Sequence, residues 1–436
     1  MFVSARRLTT ISPKLKELRI HLCQTGEASK DCWKTSVIVP VEKVKGTIKP
    51  EEIRPINTLP SDEKIIETVV KNQLLDYLNK NEVIIKEQSG FRSKHSCETA
   101  LNLVIAEWKE SRTKKQFTIS VFLDLKRAFE TVDRDILIRK LYKIGIRNIA
   151  LNWFKSYLSG RKQKTVIRNK ISPEVDIEIG LPQGSVLAAI LFIIYINDIK
   201  NCIKYCKIRL FADDALLTVS GNTIDEAASK IQSDLQAIYK WLCQNMLKIN
   251  IEKTKWMIMG SRVTQDDVSL KIANTPIERV TRIKYLGIII DDKLKFDEHL
   301  KYIEGKISKK IGFMFRSCRH ISMQYKIMVY RSIIEPHFIY CPTILFALAD
   351  SQKSRLQIKQ NKVMRFILRK RYDTPIKDLL DSLNWLSVKQ NITYYTLKFI
   401  HNIKLGNLPN YLSESVRLNR EVHSYQTRHN NNFYFQ

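Results

Sequence analysis

The chain has 436 residues, 44% of them hydrophobic and 27% charged, with 73 Lys and Arg against 44 Asp and Glu and a formal net charge of +29. This balance excludes a disordered chain, and the length exceeds what one compact core usually holds, so more than one subdomain is expected. The positive excess calls for an anionic partner, nucleic acid ahead of a membrane surface, because the basic residues are spread along the chain and not gathered on one amphipathic helix.

In chain order, residues 1–30 show no firm pattern and read as an N-terminal extension. Residues 36–41 (SVIVPV) are apolar and β-branched, which predicts a strand. Pro40, Pro50, Pro55 and Pro60 then mark an irregular stretch. A helix is expected after it, with Ser61 as N-cap, Asp62 and Glu63 in the first turn and apolar positions from Ile65 to Leu78.

A second helix is expected over 98–111, and an alternating strand over 117–125 (FTISVFLDL) that ends on an acid. Residues 136–142 and 148–158 read as helices, the latter stopped by Ser159-Gly160, and 164–166 with 175–179 as a hairpin pair. Strands 208–211 and 215–219 flank Ala212-Asp213-Asp214, placing acids at a hairpin turn. A long amphipathic helix over 224–247 and strands over 255–259 and 283–289 follow. Beyond Lys293 the pattern is helical and basic, with Arg355, Lys359, Lys362 and Arg369 on one face of 356–371, a candidate rail for a phosphate backbone. Asn430-Asn431-Asn432 is the one biased tract.

The eight cysteines (Cys23, Cys32, Cys97, Cys202, Cys206, Cys243, Cys318 and Cys341) form no CxxC pair and read as free buried thiols in a reducing compartment. The most apolar run, 186–196, is too short to span a bilayer and reads as a core helix. A soluble, intracellular protein without membrane association is expected, in nucleus or cytoplasm; protein partners are not indicated.

Chemistry concentrates at Asp124, at a strand end, and at Asp213 and Asp214. Clustered carboxylates raise one another's pKa unless a cation intervenes, and hard divalent ions with oxygen ligands suit that task. Between the two acidic sites lies Gly180-Leu181-Pro182-Gln183-Gly184-Ser185, a turn leading into an apolar helix, whose amides could meet phosphate or base.

This series resembles the polymerase domain of reverse transcriptases, most of all those of jockey and LINE-like non-LTR retrotransposons. Further matches are Arg54-Pro55-Ile56 with Leu59-Pro60, Gln88-Ser89-Gly90-Phe91-Arg92 with His95, Thr99 and Ala100, and 124–132 (DLKRAFETV). Residues 247–254 (LKINIEKT) and Tyr285-Leu286-Gly287 complete a set that covers 33–289.

The resemblance implies an α+β right-hand polymerase. Fingers would span 31–116, and an antiparallel-sheet palm 117–292 with a fingers insertion near 135–178. A helical thumb (293–350) and a helical basic C-terminal region (351–436) would follow. It implies an RNA-directed DNA polymerase that adds dNTPs to a DNA primer on an RNA template with two Mg²⁺ ions, Mn²⁺ being the alternative ion.

Asp124, Asp213 and Asp214 would hold the metal, Asp214 being the least direct ligand. Phe129 would wall off a ribose 2′-hydroxyl, or is an ordinary core residue. Gln183 and Gly184 would line the incoming nucleotide. Arg54 and Arg92 would hold phosphates, or serve as surface ion-pair partners. Lys253 would protonate pyrophosphate, or is a solvated residue; Tyr285, Leu286 and Gly287 would support the primer end.

Glu130 replaces the family's usual aspartate and is expected to lie off the metal site. There is no room for an endonuclease before Trp33 and no RNase H-like acidic set after Tyr285, so a polymerase piece alone is expected. Two other readings stand: an inactive or co-opted retroelement fragment that binds nucleic acid, and an RNA-dependent RNA polymerase, against which Ala212 and Phe129 argue.

Overall fold

Thr35–Glu42 forms strand β1 and Ile53–Thr58 strand β2, paired antiparallel with Pro40 opposite Pro55. The computed structural model describes residues 33–42, 46–47, 49, 52–259, 268–413, 416–418 and 433–435. The expected extension 1–30, Cys23, Cys32, Pro50 and the Asn430–Asn432 tract lie outside them. The irregular stretch expected around Pro55 is thus a strand. Pro is tolerated there because β2 is an edge strand and Pro40 lies beyond the part of β1 that pairs with the next strand.

Helix α1 (Ser61–Lys80) starts one residue earlier than expected: Pro60 is the N-cap and Ser61 opens the helix without capping it. Helix α2 (Cys97–Thr113) is closed at its start by a capping box between Ser96 and Thr99. Strands β3 (Phe117–Leu123) and β4 (Leu125–Lys126) bracket Asp124. Helices α3 (Arg134–Lys143) and α4 (Asn148–Leu158) follow.

Strand β5 (Arg161–Ile167) pairs in parallel with β1 and antiparallel with β6 (Lys170–Ile171) and β7 (Val175–Ile177). The expected hairpin is therefore split: Arg161–Gln163 meet β7, while Val166 and Ile167 meet β6. Helix α5 (Ala188–Tyr195) is buried at every residue but Ala189. Among the described residues no helix is long and apolar enough to cross a membrane.

Strands β8 (Lys207–Phe211) and β9 (Asp214–Gly221), helix α6 (Ile224–Gln244), and strands β10 (Lys248–Ile249) and β11 (Lys255–Met259) come next. Short strands β12 (Lys271–Ile272), β13 (Thr275–Pro276) and β14 (Glu278–Arg279) lead to a hairpin of β15 (Arg282–Tyr285) and β16 (Ile288–Asp291). One strand was expected over 283–289; Leu286, with φ +44°, starts a turn in its middle.

The main sheet runs β14-β11-β3-β9-β8, and period-two alternation gives it two apolar faces. Ile119, Val121, Leu123, Leu217, Trp256 and Ile258 join Ile231, Leu235 and Ile238 of α6 in one cluster. Phe122, Leu216, Met257 and Met259 join Leu101, Val104 and Trp108 of α2 in a second. Each such buried side chain is worth about 1.5–3 kcal/mol, so these faces fix the register that presents the strand ends.

The second cluster continues into helices α7 (Asp297–Ser317), α8 (Met323–Val329), α9 (Pro336–Ile339), α10 (Pro342–Phe346), α11 (Asp350–Leu368), α12 (Ile376–Leu383) and α13 (Val388–Lys404). Helices on both sides of residue 350 share it. The architecture is α+β, a central mostly antiparallel sheet followed by a helical region.

The basic rail expected on 356–371 is broken up. Arg355 forms an ion pair with Glu304 of α7, Lys359 donates to Ser308, and Arg369 lies beyond the end of α11. The described cysteines are free thiols, as expected, but of these Cys318 and Cys341 are buried, Cys97, Cys202 and Cys206 partly so, and Cys243 is exposed.

Candidate active site

Leu123 pairs with Ala215, so Asp124, one residue past the end of β3, comes level with Asp214 at the start of β9. Phe211 pairs with Asp214, which leaves Ala212 and Asp213 as a two-residue turn, Ala212 at φ +57°. The three carboxylates therefore share one end of the sheet.

Asp213 and Asp214 reach solvent, yet the surrounding protein strips part of their hydration. Burial first, then the charge of Asp124, raises the Asp213 pKa, while Arg54 pulls it back. Asp214 is pushed up to about 6 by burial and by repulsion from Asp213 and Asp124. Behind Asp214, burial and its charge raise the phenol of Tyr285, which packs edge-on against Phe122 at 5.4 Å. Arg54, exposed on β2, is thus brought to the acids as one of the two expected arginines.

Among the described residues no three acidic, imidazole or thiol side chains close into a metal-ligand shell as they stand. The donor set nevertheless suits a hard divalent cation: it is all carboxylate oxygen, and its mutual repulsion is what such a cation removes.

The loop 180–185 is clamped on both sides. Gly180 N donates to Val132 O and Leu181 N to Phe129 O, each at 2.7 Å, and Gln183 Nε2 donates to Glu130 Oε1 at 3.2 Å. Glu130, expected to be incidental, is a partner of Gln183. On the other side Asn57 N of β2 donates to Gln183 O at 2.7 Å. Gly184, at φ +120°, lies so close that an added Cβ would stand 2.3 Å from Asn57 O. The amides of Gly180, Leu181, Ser185 and Val186 all have protein acceptors, which corrects the expectation that the loop's amides as a group await phosphate. Phe129 is half-buried, stacked on Phe192 at 4.6 Å between centroids.

Beneath the loop lies a network the sequence reading missed. Tyr157 Oη donates to Glu67 Oε1 at 2.7 Å and lies 2.7 Å from Ser185 Oγ, which accepts the Leu187 and Ala188 amides at the start of α5. Arg161 bonds Glu63 Oε1 at 3.0 Å and Tyr157 O at 3.1 Å. Glu63, Glu67, Tyr157 and Arg161 are all at most 3% exposed. The available signal was the placement of two acids, Glu63 and Glu67, one turn apart on the same stripe as Ile66 and Leu74.

Residues 248–254 turn back on Asp124. Asn250 N donates to Asp124 O at 2.8 Å, and Asp124 N donates to Thr254 Oγ1 at 3.3 Å. Lys253 stands exposed on this turn. Leu286 O accepts from Tyr340 Oη at 2.8 Å, tying the 285–287 turn to the helical region. Arg92 is engaged elsewhere: Nη1 donates to Ile85 O at 2.9 Å and Gln88 O at 3.1 Å, and burial lowers its pKa. It is a loop brace, not a companion of Arg54.

The family model "Reverse transcriptase (RNA-dependent DNA polymerase)" matches residues 41–290. The "Probable RNA-directed DNA polymerase from transposon BS" of Drosophila melanogaster is 27% identical over 390 residues, 85% of this chain and 42% of that protein. The "RNA-directed DNA polymerase from mobile element jockey" of the same species is 28% identical, over 77% of this chain and 38% of that protein. The chain thus spans 38–42% of the length of these curated relatives. A solved structure of apo telomerase from Candida tropicalis aligns over 88% of this chain and 69% of that one, at 11% identity and a TM-score of 0.45.

Proposed function

The chain belongs to the reverse transcriptase family, and from that premise we propose that it extends a DNA primer with dNTPs by copying an RNA template. The observation that carries this reading is the meeting of Asp124, Asp213 and Asp214 at one sheet end, mutually repelling and faced by Arg54. In this reading β1, β2, α1 and α2 belong to the fingers (31–116), with the insertion near 135–178. The main sheet is the palm (117–292), and the helices form a thumb (293–350) and a basic C-terminal region (351–436) that share one apolar cluster.

Asp124, Asp213 and Asp214 would hold the catalytic metal. Bound Mg²⁺, two ions in this reading with Mn²⁺ as the alternative, would supply Lewis acidity at the primer 3′-hydroxyl and neutralise charge on pyrophosphate. The protein's own groups supply the rest. Arg54 faces the triphosphate, Gln183 and Gly184 line the nucleotide, and the exposed ammonium of Lys253 donates a proton to pyrophosphate. The free face of Phe129 lies under the sugar, where a 2′-hydroxyl would clash. The turn Tyr285-Leu286-Gly287 supports the primer end. Arg92 acts through the loop it braces.

Primer extension on poly(rA)–oligo(dT) with Mg²⁺ tests the reading. Incorporation of dTTP that stops with EDTA is expected; no incorporation by folded protein, with either ion, would overturn it.

A further inference from the structure

Ala212 is a non-glycine residue held in left-handed backbone at the turn that carries Asp213. Such a conformation costs free energy and persists only where surrounding contacts over-determine it. Beside the β8–β9 pairing itself, such contacts come from residues 87–90.

Ser89 N donates to Leu210 O at 2.8 Å and Leu210 N donates to Glu87 O at 2.9 Å, so the segment runs beside β8 as a splint. At its centre the side-chain oxygen of Gln88 accepts both Gly90 N, at 2.7 Å, and Ala212 N, at 3.1 Å. Gly90 closes against the turn so tightly that an added Cβ would stand 2.3 Å from Ala212 N. Arg92 in turn fixes Gln88 O through Nη1.

Gln88 is 1% exposed, and among the described residues its Nε2 has no hydrogen-bond partner. A buried amide that wastes a donor costs stability, and a side chain of similar size without polar atoms would pack there at no such penalty. What Gln88 offers in exchange is an acceptor for the strained Ala212 amide.

Resting on the polymerase reading above, we propose that Gln88 is a positioning residue for the aspartate turn: its single oxygen fixes Ala212 and so the direction in which Asp213 presents its carboxylate. Arg92 and Gly90 serve the same brace, one behind Gln88 and one beside it.

Hydrogen exchange read by mass spectrometry, together with extension kinetics, tests this on the full chain. In Gln88→Met, peptides covering 208–216 are expected to exchange at least about tenfold faster while those covering 117–123 stay unchanged. The kcat for extension should fall about 10- to 100-fold, as for lost outer partners of metal ligands. The Mg²⁺ concentration for half-maximal rate should rise, and KM for dTTP should stay within about twofold. Gln88→Glu, which keeps an acceptor oxygen, should retain slow exchange at 208–216. Where Gln88→Met does not fold, Gly90→Ala perturbs the same turn by its methyl group and is read on the same peptides.

Unchanged exchange at 208–216 in folded protein would overturn the proposal, as would acceleration spread evenly over the main sheet. If the wild-type chain extends no primer, the polymerase reading falls, while the exchange result still decides the brace.

Discussion

The protein treats two groups of acids, one at the end of the main sheet and one under the loop 180–185, in opposite ways. At the sheet end Asp124, Asp213 and Asp214 face one another, with Arg54 the cation that pulls on Asp213, and burial plus repulsion raise the pKa of two of them. Under the loop Glu63 and Glu67 are more deeply buried, yet Tyr157 and the Val186 amide donate to the two oxygens of Glu67. Arg161 pairs with Glu63 Oε1, Glu63 Oε2 being left without a partner among the described residues. Burial also raises the Glu63 pKa, but there Arg161 opposes it. The contrast shows that the fold can neutralise an acid when the acid serves the scaffold. At the sheet end it leaves negative charge standing, the arrangement a cation-binding site requires.

The sharpest break of this comparison comes from exchanging charge for shape. Asp213→Asn should lower primer extension by about 10³-fold or more, since several kcal/mol of transition-state stabilisation go with the metal, while leaving the melting temperature equal or higher. Glu63→Ala should do the reverse. It strands the Arg161 guanidinium in the interior and should destabilise by about 3–5 kcal/mol in denaturant melts, with specific activity per folded molecule largely kept. Equal losses of activity and stability in both variants would erase the distinction.

Phe129→Ala should relax sugar selection, lowering the dNTP over rNTP preference by about 10- to 200-fold in single-nucleotide assays. Retained preference would leave Phe129 as a core residue stacked on Phe192.

A pH series sharpens the same contrast. In the folded chain Asp214 titrates near 6, above its ordinary value of 3.8. The native state therefore binds protons more tightly, and this group's contribution to stability falls as pH rises from 3.8 to 6. Without metal, Asp214→Asn should be more stable than wild type at pH 7, by about 1 kcal/mol at most after solvent screening. The gap should close as pH drops toward 4. An effect of similar size is expected for Tyr340→Phe, which loses the bond to Leu286 O and should cost about 0.5–1.5 kcal/mol.

Much of the sheet end was legible in the sequence because its signals are local. Alternation in 117–123, the acids at the 211–214 turn and the Ser159-Gly160 stop of α4 all lie within a few residues. What was not legible depends on distant partners. Strand β2 is concealed by Pro55 and exists through its register with β1. The 282–291 hairpin turns at Leu286, which carries no turn signature of its own. The bonds from Glu67 to Tyr157 and Val186 join residues 90 and 119 positions apart, beyond any periodicity argument. Arg92 was recognisable as part of a motif, but its burial against Ile85 and Gln88 carbonyls was not.

Whether the acids at the sheet end are a cation site and those under the loop are scaffold can be read directly from Mn²⁺ binding followed by electron paramagnetic resonance on the free chain. Wild type and Glu63→Gln should both bind, and Asp124→Asn/Asp213→Asn should lose binding while remaining folded. Binding unchanged in the double aspartate variant, or lost in Glu63→Gln while that variant remains folded, would contradict the account.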